Sequence, residues 1–205
     1  MPPEPLVLAF DTSAAHCAAA LLSGDRVLES RVEEMATGQA DRLLPLLEEM
    51  LAGAGIHWRN LAVIGVGTGP GNFTGVRISV AAARGLALGL GIPAIGVTTF
   101  EAMALGAAHP VLVRLDARRG HIYVQVFGDA ASAARLMAVA DDVTPSPGTT
   151  VLGFGSDTAP LYPLAVAIAR IARDRLGAAH GRPAPFYLRG ADALPPSDPP
   201  PVILS

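Results

Sequence analysis

The amino-acid sequence predicts an α/β protein of two related halves, each a mixed β-sheet flanked by helices. Three observations lead there. The chain opens on three strand-like runs separated by turn residues, then alternates helical and strand patterns, and after His109-Pro110 begins again with a strand, a turn and a strand. With 205 residues and 51% hydrophobic side chains, it has the apolar material for one domain or two small lobes.

Leu6 to Asp11, "LVLAFD", is apolar up to a closing carboxylate, and His16 to Leu22 is a second strand-like run. Ser23-Gly24-Asp25 marks a turn, and Arg26 to Val32 alternates as a third strand. From Gln39 to Ala54, "QADRLLPLLEEMLAGA" sets Leu43, Leu47, Met50 and Ala54 on one helical stripe, with Leu44 and Leu51 beside it. Pro45 conflicts with this helix, because an interior proline costs roughly 3 kcal/mol, so a late start or a bend is expected. Leu61 to Gly67 is a strand, and the loop "GTGPGNFTGVR" follows. Gly75 to Leu90 is a helix with Thr74 as its candidate cap, Ala94 to Val97 a strand, and Thr98-x-x-Glu101 a capping box opening another helix.

The boundary between halves falls near His109-Pro110. Residues 1–108 form the first lobe and 109–190 a smaller second lobe, with a Pro-rich and disordered tail expected over 191–205. Val111 to Asp116 and His121 to Phe127 open the second lobe as strands, and Asp116 closes its strand as Asp11 closes the first, hinting at an internal duplication. Pro163 to Leu176 reads as an amphipathic helix with Leu164, Ile168 and Ile171 inward.

All fifteen basic residues are arginine, and against eighteen acidic ones they leave a net charge of −3. Without lysine there is no Walker-type phosphate lysine, no Schiff base and no amine general base. The negative balance disfavours unaided RNA or DNA binding, which draws on basic surface for counterion release. A single cysteine, Cys17, excludes an internal disulfide and a cysteine zinc cluster, and its apolar setting reads as a small buried hydrophobe. The histidines His16, His57, His109, His121 and His180 form no i, i+4 pair, so no metal site is expected, and no G-x-S-x-G elbow occurs. The N-terminus lacks the basic and long apolar regions of a signal peptide, and the apolar runs fall short of the roughly 20 residues of a membrane helix. A cytoplasmic protein without a membrane span is expected.

Two places invite a chemical reading. The loop Gly67 to Arg77 is a strand-to-helix turn that suits either an anion at the helix start or a tight structural connector, although Asn72 stands where a dinucleotide fingerprint wants glycine. Phe73 in that loop suits either a core plug or an exposed contact. Asp11-Thr12-Ser13 suits either a magnesium-bound phosphate or an Asx turn. The helix "VRISVAAARGLALGLG" is apolar nearly all round, as is the earlier helix, so a second face must be covered, either deep between the sheet and another helix or against an oligomer or partner.

"LAFDTS", "RLLPLLEEML", "GTGPGNFTGVRIS", "GLALGLGIPAIGVTTFEAMA", "DARRGHIYV" and "PFYLRGAD", in that order, resemble the TsaB (YeaZ) family of bacterial tRNA-modification partner proteins. The resemblance implies a two-lobed actin-like (ribonuclease H-like) fold. It implies a non-catalytic subunit that pairs with a TsaD-type transferase making N6-threonylcarbamoyladenosine at position 37 of ANN-decoding tRNAs. A TsaE-type P-loop ATPase joins the pair, the chain forms a homodimer when alone, and tRNA is met only through the complex. The alternatives are a weak stand-alone actin-like ATPase or kinase and an M22-like metallopeptidase. The region around Gln39 has no histidine, where the catalytic relative carries its metal pair, so no metal and no catalytic residue are carried over. Asn72, Ser79 and His121 stand where the family more often has serine, glycine and glutamate. Asp11, Thr12, Asp116, Gly153 and Gly155 are vestigial nucleotide positions; no cofactor is expected beyond weakly held ATP or ADP at the complex interface. The implied partner surface comprises Leu43, Leu47, Met50 and Leu51 on the first helix and Arg77, Val80, Ala81 and Arg84 on the second, with Asn72 and Phe73 in the loop.

Overall fold

The computed structural model describes residues 4–129, 131–142 and 144–188. Its first sheet has the order β3-β2-β1-β4-β5, from β1 (Leu6–Asp11), β2 (His16–Ser23), β3 (Arg26–Glu34), β4 (Val63–Gly67) and β5 (Ala94–Val97). The second has the order β8-β7-β6-β9, from β6 (Val111–Asp116), β7 (His121–Phe127), β8 (Arg135–Ala138) and β9 (Thr150–Gly153). In each sheet the opening strand pairs antiparallel with the next and parallel with a later one, so the pattern of β3-β2-β1-β4 returns as β8-β7-β6-β9. The duplication hinted at by Asp11 and Asp116 is thus present in the topology.

Successive side chains of a strand point to opposite faces. Leu8 and Phe10 of β1 enter one core with Cys17, Ala19 and Leu21 of β2, while Val7 and Ala9 enter another with Ala18, Ala20 and Leu22. Both faces are therefore covered, which is why these strands read as continuous apolar runs rather than alternating ones. Helices α1 (Gln39–Gly53) and α2 (Phe73–Leu90) cover the first face. Helix α4 (Leu164–Asp174) covers the second, and its alanines let it lie close to the sheet: a Cβ added at Gly65 would come 2.9 Å from that of Ala172. This corrects the assignment of all of residues 109–190 to the second lobe. The helix is sequential with the second sheet, yet Ala165, Ile168, Ala169 and Ala172 fill the otherwise bare face of the first. Helix α3 (Thr99–Ala104) carries Phe100 and Ala104 into the core of the second sheet with Val111, Val113 and Leu152.

Helix α1 runs from Gln39 through Pro45 to Gly53 with neither a late start nor a break. Leu43, Leu46, Leu47, Met50 and Leu51 are buried along it, and their packing offsets the hydrogen bond that proline cannot donate. Leu46 joins the buried stripe, whereas Ala54, expected on it, lies exposed past the helix end. Helix α2 starts at Phe73 and is capped by Asn72, whose side chain accepts from the Gly75 amide at 3.0 Å, not by Thr74. The capping box at Thr98 and Glu101 forms as expected. By length and composition alone α2 could cross a membrane. Its Val76, Val80, Ala83 and Ala87 are buried in the first core, and Arg77 and Arg84 face outward, the arrangement of a helix lying on a sheet. The proline-rich tail, residues 191–205, lies outside the described residues.

Candidate functional site

The glycines of the Gly67 to Arg77 loop are explained by backbone packing. A Cβ on Gly75 would run into the carbonyl oxygen of Thr12, and one on Gly71 would lie 2.8 Å from the Ser13 Cβ. The Asn72 amide donates to the Ser13 carbonyl at 2.6 Å, and the Thr12 hydroxyl donates to the Gly75 carbonyl at 2.6 Å. The β1–β2 turn is thus seated directly on the loop, in the space where a phosphate cradle would need open amides. Of the two readings of this loop, the packing favours the connector.

The same turn encloses Asp11. Its Oδ1 accepts from the Ser13 amide at 2.9 Å and the Ser13 hydroxyl at 2.8 Å, and lies 2.9 Å from His16 Nε2. Its Oδ2 is buried without a hydrogen-bond partner and faces Gly67, where any side chain would overlap it. The hydrogen bond to Asp11 raises the His16 pKa above its usual value, with burial opposing. Asp11 and Thr12 are fully buried, so this carboxylate acts as the hub of an Asx turn.

Between the two sheets lies a cleft of about 1010 Å³. One wall is the loop and α2 start, with Asn72 and Phe73; the other is the β6–β7 turn, with Asp116, Arg118 and Arg119; Phe186 and Tyr187 of the segment after α4 close one side. Arg118 and Arg119 adopt positive φ angles of 60° and 52°, unusual for non-glycine residues. Phe73 and Tyr187 stack with centroids 5.0 Å apart; the Arg77 guanidinium lies 3.8 Å from the Phe73 centroid and donates to the Tyr187 hydroxyl at 2.9 Å. Of the vestigial positions, Asp116 lines this cleft, while Asp11, Thr12, Gly153 and Gly155 do not. Gly153 is required for close packing on the Arg114 carbonyl, and Gly155 supplies a positive φ of 72°. Tyr187, Arg118 and Arg119 carry no periodic signal in the sequence that singles them out, because their place in the cleft with Phe73 is made by three distant segments.

The expected partner residues divide by burial. Leu43, Leu47, Met50, Leu51 and Val80 are core residues, none more than 4% exposed, so they cannot present a docking face; the sheet claims the stripe that the heptad-like spacing revealed. Asn72, Phe73, Arg77, Ala81 and Arg84 are exposed. They continue along α2 to Gly85 and to Leu88, which is 85% exposed; Leu44 of α1 is exposed as well. On the far side of α1, Arg42 bridges Glu33 and Glu49, and Arg31 bonds Glu29 and Glu49, tying the β3 edge to the helix. These arginines hold the Glu33 and Glu49 carboxyls below their usual pKa.

The family model for TsaD, tRNA N6-adenosine threonylcarbamoyltransferase, matches residues 33–179. The chain belongs to the TsaD family, in its TsaB (YeaZ) branch. TsaB of Escherichia coli, named for tRNA threonylcarbamoyladenosine biosynthesis, is 38% identical over 57% of this chain and 52% of its own length. The chain thus spans about half the length of the TsaB relatives it matches. A Mycobacterium bovis protein of uncharacterised function is 35% identical over 92% of this chain and 94% of its own. YeaZ of Pseudomonas aeruginosa superposes with a TM-score of 0.75 at 26% identity, covering 90% of this chain and 100% of that one. The TsaB-type fold expected from the motifs is the fold observed, two sheets flanked by helices, as its superposition on YeaZ shows. The TsaB-type loop "GPGNFTG" is, in this chain, the seat of the β1–β2 turn.

Proposed function

We propose that this chain is a non-catalytic subunit that pairs with and activates a TsaD-type threonylcarbamoyltransferase in forming N6-threonylcarbamoyladenosine at position 37 of ANN-decoding tRNAs. Family membership supports the pathway. The observation that carries the subunit role is the outer face of α2, where Ala81, Gly85 and Leu88 lie exposed together with Arg77 and Arg84 while the opposite face is spent on the core. Small residues permit close helix approach, and a solvent-facing Leu88 gains most by being covered. The same face pairs two copies when the chain is alone, a TsaE-type P-loop ATPase joins the assembled pair, and weakly held ATP or ADP belongs to the complex interface. The buried Asp11, held by Ser13 and His16, argues against the stand-alone kinase reading. The complex works in the cytoplasm and engages tRNA as a unit.

The test is co-elution with the TsaD-type protein and reconstituted tRNA modification. Wild-type chain co-elutes and stimulates modification; Leu88→Asp and Ala81→Arg abolish both while keeping the fold. Modification at full rate without this chain would overturn the reading.

A further inference from the structure

We propose that the groove at the C-terminal end of α2 receives an acidic segment of the TsaD-type partner, one apolar side chain entering beside Leu88 and a carboxylate meeting Arg84 and Arg182. The inference deepens the subunit reading above and rests on it. A pocket of about 530 Å³ lies between the last turns of α2 and the segment that follows α4. Helix α2 contributes Arg84 and Leu88, one turn apart and so on one face, with Ile92 just past its end. The other segment contributes His180, Arg182 and Pro183. Pro183 is buried and Leu88 is largely open, so the groove joins a fixed apolar wall to an uncovered side chain.

The charge of this groove is unanswered within the chain. Arg31, Arg42, Arg170, Arg173 and Arg175 pair with carboxylates, and Arg77 is held by Phe73 and Tyr187. Arg84 and Arg182 have no hydrogen bond or ion pair among the described residues, and the groove's described lining includes no carboxylate. Helix α2 carries none along its length. A guanidinium fork takes a carboxylate through paired N–H donors. Covering an exposed leucine beside it supplies the apolar burial that a lone surface ion pair lacks. A phosphate backbone fits less well, because no phenylalanine, tyrosine or tryptophan among the described lining offers a face to a base, and the carbonyl end of α2 lies here. An acidic protein segment with an apolar anchor satisfies both halves of the lining. The interface thereby extends past α2 onto residues 180–183.

The chain contains no lysine, so Arg182→Lys places its sole side-chain amine in this groove. The variant is mixed with the TsaD-type partner and treated with a zero-length carbodiimide, which condenses an amine with a touching carboxylate by loss of water; mass spectrometry then reads the linked peptides. A link from position 182 to an Asp or Glu of the partner is expected, and Arg135→Lys, on the edge strand β8, is expected to give none. Binding kinetics at salt between about 50 and 500 mM give a second reading. Wild-type association is expected to slow as salt rises. Arg84→Glu with Arg182→Glu is expected to weaken binding at least about tenfold at the lowest salt and to abolish that dependence. Leu88→Ala is expected to speed dissociation at least about fivefold with the salt dependence kept. Circular dichroism melts confirm that the variants are folded. The proposal is overturned by no link from position 182, by a link only to a second copy of this chain, by equal linking from positions 182 and 135, or by wild-type affinity and salt dependence in the charge-reversed variant. Each of these, with wild-type co-elution intact, refutes the groove alone. A wild-type chain that fails to co-elute with the partner would instead sink the subunit reading, and this one with it.

Discussion

The carbonyl oxygen of Thr12 stands where Gly75 would carry a side chain, so α2 can start only against the bare backbone of the β1–β2 turn. The helix that presents the exposed Leu88 is thereby locked to the strand that ends in Asp11. Gly75→Ala reverses the usual helix rule. Alanine is favoured over glycine in a helix by about 1 kcal/mol, but here the added methyl meets backbone that cannot yield, and a loss of about 3 kcal/mol is expected. Gly85→Ala, with nothing within 4 Å of the new Cβ, is expected to stabilise by about 0.5–1 kcal/mol. Urea denaturation of both variants checks the pair; equal signs would refute the packing account.

Burial separates the two faces of the helix layer. Leu47→Ala is expected to cost about 2–5 kcal/mol, since Leu47 is fully buried in the first core. Leu88→Asp is expected to leave stability within about 0.5 kcal/mol and to act on partner binding alone. Denaturation and size-exclusion on the same samples distinguish them.

The contact of His16 with Asp11 has a pH signature. The folded His16 pKa is raised above the ordinary 6.5, so the folded state holds its proton more tightly than the unfolded chain. The stabilisation is complete below about pH 6.5 and is lost as pH rises through the folded value. His16→Gln is expected to flatten the fall in melting temperature between about pH 6.5 and the folded value, and an imidazole NMR titration should place the His16 midpoint above 6.5. A midpoint below it would contradict the geometry.

The cap of α2 belongs to Asn72. Asn72→Ala is expected to cost about 1 kcal/mol, while Asn72→Ser, the residue more common in the family, keeps a cap and costs less. Thr74→Ala is expected to have no effect of that size in the same thermal melts.

Local chemistry was readable where neighbours in sequence are also neighbours in space. The apolar runs Leu6 to Asp11 and His16 to Leu22, the alternation from Arg26, the capping box at Thr98 and the restart at Val111 all announce themselves, because strand period, turn residues and caps act over a few positions. The motif "GTGPGNFTGVR" likewise pointed to its family. Pro45 misled, because propensity is a weak term beside five buried side chains on one helix.

By itself, then, the sequence determined the elements, their order and the family. Only the tertiary structure decided which face of each helix is spent. Leu47 and Met50 look like an interface stripe until β1 and β2 are laid beneath them, and α4 belongs to the second half until its alanines are found on the first sheet. The cleft is likewise a tertiary product: Phe73, Arg118 and Tyr187 are far apart in the chain and carry no shared period. Burial and proximity between distant segments depend on how sheets and helices stack, and no local pattern encodes that.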